Sequence, residues 1–113
     1  MHIVDIPSQN TETITRFASH GARSLTLAHG SGAVHAYHIE FEPGGEIGPH
    51  PTGFAQIFLV TSGSGWVAGA DGRRIGISEG QYAQFEKGEM HAKGSDSGMT
   101  ATMIQVDQLD GPT

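Results

Sequence analysis

Short segments rich in β-branched and aromatic residues recur along this chain, and glycine-centred breaks separate them. Seventeen of the 113 residues are glycine. Glycine and proline favour tight turns over continued regular structure. Short strands at regular spacing with such breaks are typical of an antiparallel sandwich or barrel, so the sequence predicts an all-β fold. The breaks fall at 29–32, 43–45, 62–65, 71–72 and 79–80.

Alternating apolar and polar residues indicate where the strands lie. Residues 66–77 resemble a hairpin closed by a type I′ turn at Asp71-Gly72. Within 33–42, side chains two residues apart share a face, which places His35 and Tyr37 with Ile39 and Phe41. Helix signals are poor; the one candidate is 11–20, where a strand is an equal alternative. We predict strands at 24–28, 33–42, 55–60, 66–70, 73–77, 82–85 and 99–106.

Composition excludes several classes of protein. The chain has no cysteine, which excludes disulfide scaffolds and thiolate metal sites. A net charge of -6 without a basic cluster argues against nucleic acid. The apolar runs are too short to span a membrane, and the N-terminus lacks the pattern of a secretory signal. We therefore expect one cytoplasmic domain over 1–113, with a barrel core at about 24–107 and an N-terminal segment at 1–23.

Seven histidines are a reason to look for a metal or proton-transfer site. His50 follows Gly44 by six positions, with Gln56 and Gly63 further on, and His91 follows Gly80 and Gly88. These intervals match both motifs of the cupin family, G-x5-H-x-H-x3-E-x6-G and G-x5-P-x-G-x2-H-x3-N. The chain therefore resembles a cupin. The resemblance implies a single-domain cupin barrel, a double-stranded antiparallel β-helix or jelly roll.

Four letters depart from the cupin motifs. Thr52 stands at the second histidine, Gln56 at the glutamate, Glu86 at the proline and Ser95 at the asparagine. The resemblance implies that His50, Gln56 and His91 point into the barrel, with Thr52 as a further ligand. Such a set offers a divalent ion (Zn, Mn, Fe or Ni) two imidazoles and a neutral oxygen, and losing the carboxylate weakens it.

Three functions stay open on the sequence. The first is a divalent metal at His50, Gln56 and His91, acting on a small polar molecule. The second holds no metal and uses His50 and His91 as the acid–base pair of a lyase, dehydratase or isomerase, with Tyr37 lining the cavity. The third is a non-catalytic small-ligand-binding module. The resemblance also implies a homodimer. Trp66 follows a glycine-rich turn, and we expect it on a packed dimer face, with a cavity wall as the alternative.

Overall fold

Ten strands dominate the structure, a computed structural model that describes residues 1–110. A single 3-10 turn, Ile6–Ser8, is the only helical element among them. No helix of this part of the chain is long and apolar enough to cross a membrane. The strands are β1 His2–Asp5, β2 Glu12–Thr13, β3 Arg23–Ser24, β4 His29–Phe41, β5 Gly45–Pro51, β6 Ala55–Ala68, β7 Arg74–Ser78, β8 Gln81–Phe85, β9 Met90–Ser95 and β10 Met99–Asp110.

Two layers share the long central strand β6. One layer runs in the order β1-β8-β6-β10-β4. The other pairs β5 with β9, β9 with the second half of β6, and that half with β7. All pairings are antiparallel. This is the double-stranded antiparallel architecture that the sequence predicts. The short β2–β3 hairpin forms a separate two-stranded sheet.

A β-bulge at Thr61, followed by Gly63, lets β6 pass from one layer to the other. Thr100 pairs with Ser62 and Ala101 with Val60, so Thr61 is the extra residue; Gly63 lies two positions further on, has a φ of 77° and pairs with Met99. A bulge bends a strand and increases its twist, and glycine adopts the left-handed region without strain. The sequence predicts a strand end at 62–65, which is wrong, because the glycines bend the strand without ending it.

The core lies between the two layers. Phe58, Val67, Ala83, Phe85 and Ala101 are each fully buried. They come from the three strands β6, β8 and β10, and Phe41 of β4 packs edge-on against Phe58 at a centroid distance of 6.2 Å. Side chains on the inner faces of both layers therefore form one core that continues toward the polar residues described below.

Several local predictions are confirmed. The breaks at 43–45 and 79–80 separate β4 from β5 and β7 from β8. The predicted hairpin at 66–77 lies within an observed hairpin of 64–78, with Ala68 opposite Arg74. Strands also form at 82–85 and 99–106 as predicted, and the strand predicted at 33–42 is found at His29–Phe41; the one at 99–106 continues to Asp110.

Three local predictions are wrong. The turn at Asp71-Gly72 is not type I′, because that turn needs a positive φ at both central residues and only Gly72 has one. The predicted turn at 29–32 lies inside β4, where Gly32 at φ 94° accompanies a register shift and Ala33 N donates to Asp107 Oδ2 at 2.8 Å. At 24–28 only Ser24 lies in a strand.

The segment 11–20 forms no helix. It contains the two-residue strand Glu12–Thr13 followed by bends. Phe17 and Ala18 both have positive φ, a conformation that interrupts a right-handed helix. The side chains there remain largely exposed, so no apolar face is buried to stabilise one.

Candidate functional site

His50 and His91 meet at one end of the barrel interior. They are opposite each other on β5 and β9, and a register shift between Ile47 and His50 displaces the histidine end of β5. The two Nε2 atoms are 3.1 Å apart, and the ring centroids are 4.4 Å apart. His50 is exposed, whereas His91 is buried against Phe85 at a centroid distance of 4.8 Å. The pair therefore joins the interior to solvent.

The hydrogen bonds assign the tautomers of the pair. His50 Nδ1 lies 2.8 Å from the Gly48 carbonyl oxygen, which only accepts, so Nδ1 carries the proton. His50 Nε2 is then bare and accepts from His91 Nε2–H. His91 Nδ1 is consequently bare as well, and it is buried without a partner. The pair thus offers one donor and one acceptor at a single point.

The fold keeps His91 neutral. Burial is the main cause that lowers the pKa of His91 to about 3, and Lys93 and His50, when protonated, contribute in the same direction. A neutral imidazole retains one protonated and one bare nitrogen near pH 7, as the tautomer assignment requires.

Lys93 is a second polar group inside the barrel, two residues beyond His91 on the same face of β9. It has no solvent exposure, and its Nζ donates to Gln56 Oε1. The same Nζ lies 4.6 Å from the ring centroid of Phe58 and 4.8 Å from that of Phe85. Burial lowers the pKa of Lys93 to about 7.

Gln56 and Thr52 are buried, but their oxygens are already engaged. The Gln56 carboxamide oxygen accepts from Lys93. The Thr52 hydroxyl donates to the Phe54 carbonyl oxygen and accepts from Phe54 N at 3.2 Å. Both bonds lie within the turn that contains Thr52. Neither oxygen makes a hydrogen bond with His50 or His91.

His35 and Tyr37 lie on the inner face of β4. Tyr37 is opposite Met103, which is opposite the core residue Phe58. His35 is two residues away on the same face and contacts Phe54 edge-on at a centroid distance of 5.2 Å. Both are exposed, Tyr37 by 46%, so they line the open end of this face and not an enclosed cavity.

The donor set does not fit a divalent ion. Two nitrogens bound to one ion at 2.0–2.1 Å are about 3.0–3.4 Å apart, so the separation of His50 and His91 alone would suit one. The third donor, Gln56, is taken by Lys93, and the site holds no carboxylate to offset an added charge. A metal-bound histidine also normally donates from its other nitrogen, but His91 Nδ1 has no partner. Within residues 1–110 no three His, Cys, Asp or Glu side chains cluster for metal binding.

A groove of about 390 Å³ adjoins the pair and could hold a small molecule. His91, Pro49 and Met90 contribute to its lining, as do Trp66 and Arg74. The Arg74 guanidinium stacks 3.8 Å above the Trp66 ring. Trp66 is therefore partly covered by its own chain at the face where the sequence predicts a dimer contact.

Lys93 is the site residue that the sequence analysis missed. The chain has only two lysines, Lys87 and Lys93, and the second follows His91 by two positions. Strand alternation alone would have placed it on the same face as His91. Its bond to Gln56 could not have been predicted, because that contact depends on how β9 and β6 approach across the barrel.

Comparison with known proteins gives a consistent fold. The family pattern described as "Cupin domain" matches residues 37–107, more than half of the chain. No curated protein matches the chain.

Solved structures of similar fold cover different shares of the chain. An RmlC-like cupin family protein with a double-stranded β-helix fold from Methanocaldococcus jannaschii has a TM-score of 0.63 at 10% identity, over 88% of this chain and 91% of that one. A cupin-like protein from Thermotoga maritima has 0.62 at 21%, over 66% and 57%. An RmlC-like cupin from Shewanella frigidimarina has 0.61 at 19%, over 66% and 66%. The last two matches span somewhat less than two thirds of the relatives' length, and all three similarities concern the fold.

Proposed function

The chain belongs to the cupin family, and from that premise we propose that it is a metal-independent cupin that binds a small hydroxylated carbonyl compound and moves a proton on it. The observation that carries the proposal is the direct contact of His50 Nε2 with His91 Nε2 at 3.1 Å. Of the functions that the sequence leaves open, this is the acid–base site of a lyase, dehydratase or isomerase.

The pair provides complementary proton-transfer groups. A ligand that enters between the rings places a C–H next to its carbonyl against the bare His50 Nε2 and its carbonyl oxygen against His91 Nε2–H. His50 acts as the general base that removes this proton, and neutral His91 is the acid whose hydrogen bond stabilises the negative charge that develops on the oxygen. The proton then returns to carbon from His50 or from solvent, and the bond of His50 Nδ1 to Gly48 sets this division of roles. Exposure of His50 gives a path for the ligand and for exchange of the proton with solvent.

The residues around the pair suit a small polar ligand. The adjacent groove of about 390 Å³ has room for a molecule of a few carbons. Arg74 and Glu46, linked at 3.4 Å, provide a donor and an acceptor on its lining. Tyr37 and His35 at the open end of the barrel add two further hydrogen-bonding groups. The metal-dependent function favoured by the cupin motifs has less support here, because its third donor is already bonded to Lys93.

Deuterium uptake tests the proposal whichever product the reaction forms. Dihydroxyacetone, glyceraldehyde, malate and 3-hydroxybutyrate are incubated with the protein in D₂O and excess EDTA, and exchange next to the carbonyl is followed by proton NMR. We expect exchange that survives EDTA and falls about 10²- to 10⁴-fold in His50→Ala and His91→Ala, the range for loss of general acid–base catalysis.

The matched control is His38→Ala, since His38 is an exposed histidine of β4 bonded only to Glu40. Its exchange rate should equal that of the wild type. Exchange abolished by EDTA and restored by one divalent ion would contradict the proposal in favour of the metal site. Tight binding of one of these compounds without exchange would favour the non-catalytic binding module.

A further inference from the structure

Lys93 is an unusual residue to find at full burial, because a charged amine is costly to remove from water unless it is paired. Its surroundings show what compensates the cost. Nζ donates to Gln56 Oε1 and lies over the faces of Phe58 and Phe85 at 4.6 and 4.8 Å. An amide oxygen and two ring faces are all electron-rich, so the barrel provides a small cation-binding cage built around this side chain.

The cage also includes the position where the family motif has an acid. The motif glutamate is replaced by Gln56, and the oxygen of Gln56 accepts from the Lys93 amine. A divalent ion with one carboxylate carries a formal charge of about +1, and a lysine ammonium with a carboxamide carries the same charge. The exchanges of glutamate for Gln56 and of a divalent ion for Lys93 together therefore leave the net charge of the site unchanged. Either exchange alone would change that charge by one unit.

We propose that Lys93 is the built-in cation of this barrel, which takes the place of a divalent ion by occupying its third donor and its charge. The inference rests on the proposed function, whose metal independence it explains. In this account the absence of the motif glutamate weakens metal binding but does not by itself prevent it. Lys93 prevents it, because any ion at His50 and His91 must compete for Gln56 and tolerate a nearby ammonium.

Four proteins distinguish blocking of the metal site by Lys93 from loss of the motif glutamate: the wild type, Gln56→Glu, Lys93→Met, and the double variant. Methionine fills similar space without a charge, and Lys93→Gln is the second choice if Lys93→Met fails to fold. The matched control is Lys87→Met, which removes the other lysine, an exposed one. Folding is checked by circular dichroism, and binding of Co²⁺, Ni²⁺ and Zn²⁺ is measured by calorimetry, with the visible spectrum of Co²⁺ as a second readout.

We expect no stoichiometric binding at the pair in the wild type, in Lys87→Met or in Gln56→Glu. The folded double variant should bind one equivalent at least about tenfold more tightly than Gln56→Glu, and adding His91→Ala should abolish that site. A folded double variant with no gain over the wild type would overturn this inference while leaving the acid–base proposal intact. Gain of a site in Gln56→Glu with Lys93 present would also overturn it. Binding of one equivalent by the wild type at these histidines would contradict both.

Discussion

At the residue scale, the barrel interior holds two basic side chains with lowered pKa values: His91 is neutral at pH 7, whereas Lys93 keeps a large protonated fraction there. Burial lowers the pKa of His91 to about 3 and that of Lys93 to about 7. Each group should therefore make the free energy of unfolding depend on pH. A folded state that binds fewer protons than the unfolded chain gains stability as pH rises.

Removing Lys93 should flatten the alkaline part of the stability profile. Its pKa rises to about 10.5 when the chain unfolds, so the wild-type free energy of unfolding should increase from pH 7 toward pH 9. Lys93→Met should lose this slope, which is at most about 1.4 kcal/mol per pH unit for one group, whereas Lys87→Met should keep the slope. Urea unfolding at pH 7, 8 and 9 measures the effect, and equal slopes in all three proteins would show that Lys93 is not buried as described.

The ring of His91 should remain neutral well below the ordinary range of histidine. Two-dimensional ¹H–¹⁵N spectra of the imidazoles should show that His91 keeps one protonated and one bare nitrogen at pH 5. Since the folded pKa is lowered, the contribution of His91 to stability is complete above pH 6.5 and is lost as pH falls toward 3. Titration of His91 near pH 6.5 would contradict its burial in the pair.

At the element scale, β6 is the central strand of the fold, because it forms part of both layers. Its first half places Gln56 and Phe58 inside the barrel, and its second half pairs with β7 and β9. The bulge at Thr61 makes this possible. Glycine is needed two residues later, because a side chain at Gly63 would meet the Gly98 carbonyl oxygen at 2.5 Å.

Gly63→Ala should therefore destabilise the protein, whereas Gly76→Ala should not. A non-glycine residue at a φ of 77° costs about 1–3 kcal/mol before the contact with Gly98 is counted. Gly76 faces open space on the neighbouring strand β7 and has no positive φ, so it is the matched control. Thermal unfolding measures both variants, and a Gly63→Ala protein as stable as Gly76→Ala would mean that glycine is not required at this position.

The observed elements also show which structural features local sequence patterns can predict. Alternation and glycine spacing predicted the strand content and the hairpin 66–77, because these depend on neighbouring residues. They did not predict that Gly32 and Gly63 lie within bulged strands, because turns and bulged segments both use left-handed glycine. Only pairing with β10, distant in sequence, distinguishes the two. The same limit applies at the site, where motif spacing brought His50 and His91 together but gave no sign of the Lys93–Gln56 bond.

At the scale of the whole molecule, β4 is an edge strand of 13 residues at the end of its layer. Long unpaired edges favour association with another chain. Val34 on this strand is 60% exposed. We therefore keep the homodimer as a prediction, with β4 as the contact in place of Trp66.

Sedimentation velocity tests the dimer directly. The wild type should sediment at twice the chain mass, and Val34→Lys should shift it toward the monomer, because a charge would be buried at the contact. Ile75→Lys, at an exposed apolar residue of β7 in the other layer, should remain a dimer. A wild type that sediments as a monomer at micromolar concentration would contradict the prediction.

The central claim is that His50 and His91 work as a metal-free pair in a barrel that carries its own cation. Elemental analysis tests it most directly, using protein purified without a histidine tag or added metal and compared with His91→Ala. The account predicts well below one equivalent of any divalent metal in both proteins, including after exposure to Zn²⁺, Mn²⁺, Fe²⁺ and Ni²⁺ followed by desalting. Close to one equivalent in the wild type, absent from His91→Ala, would contradict it.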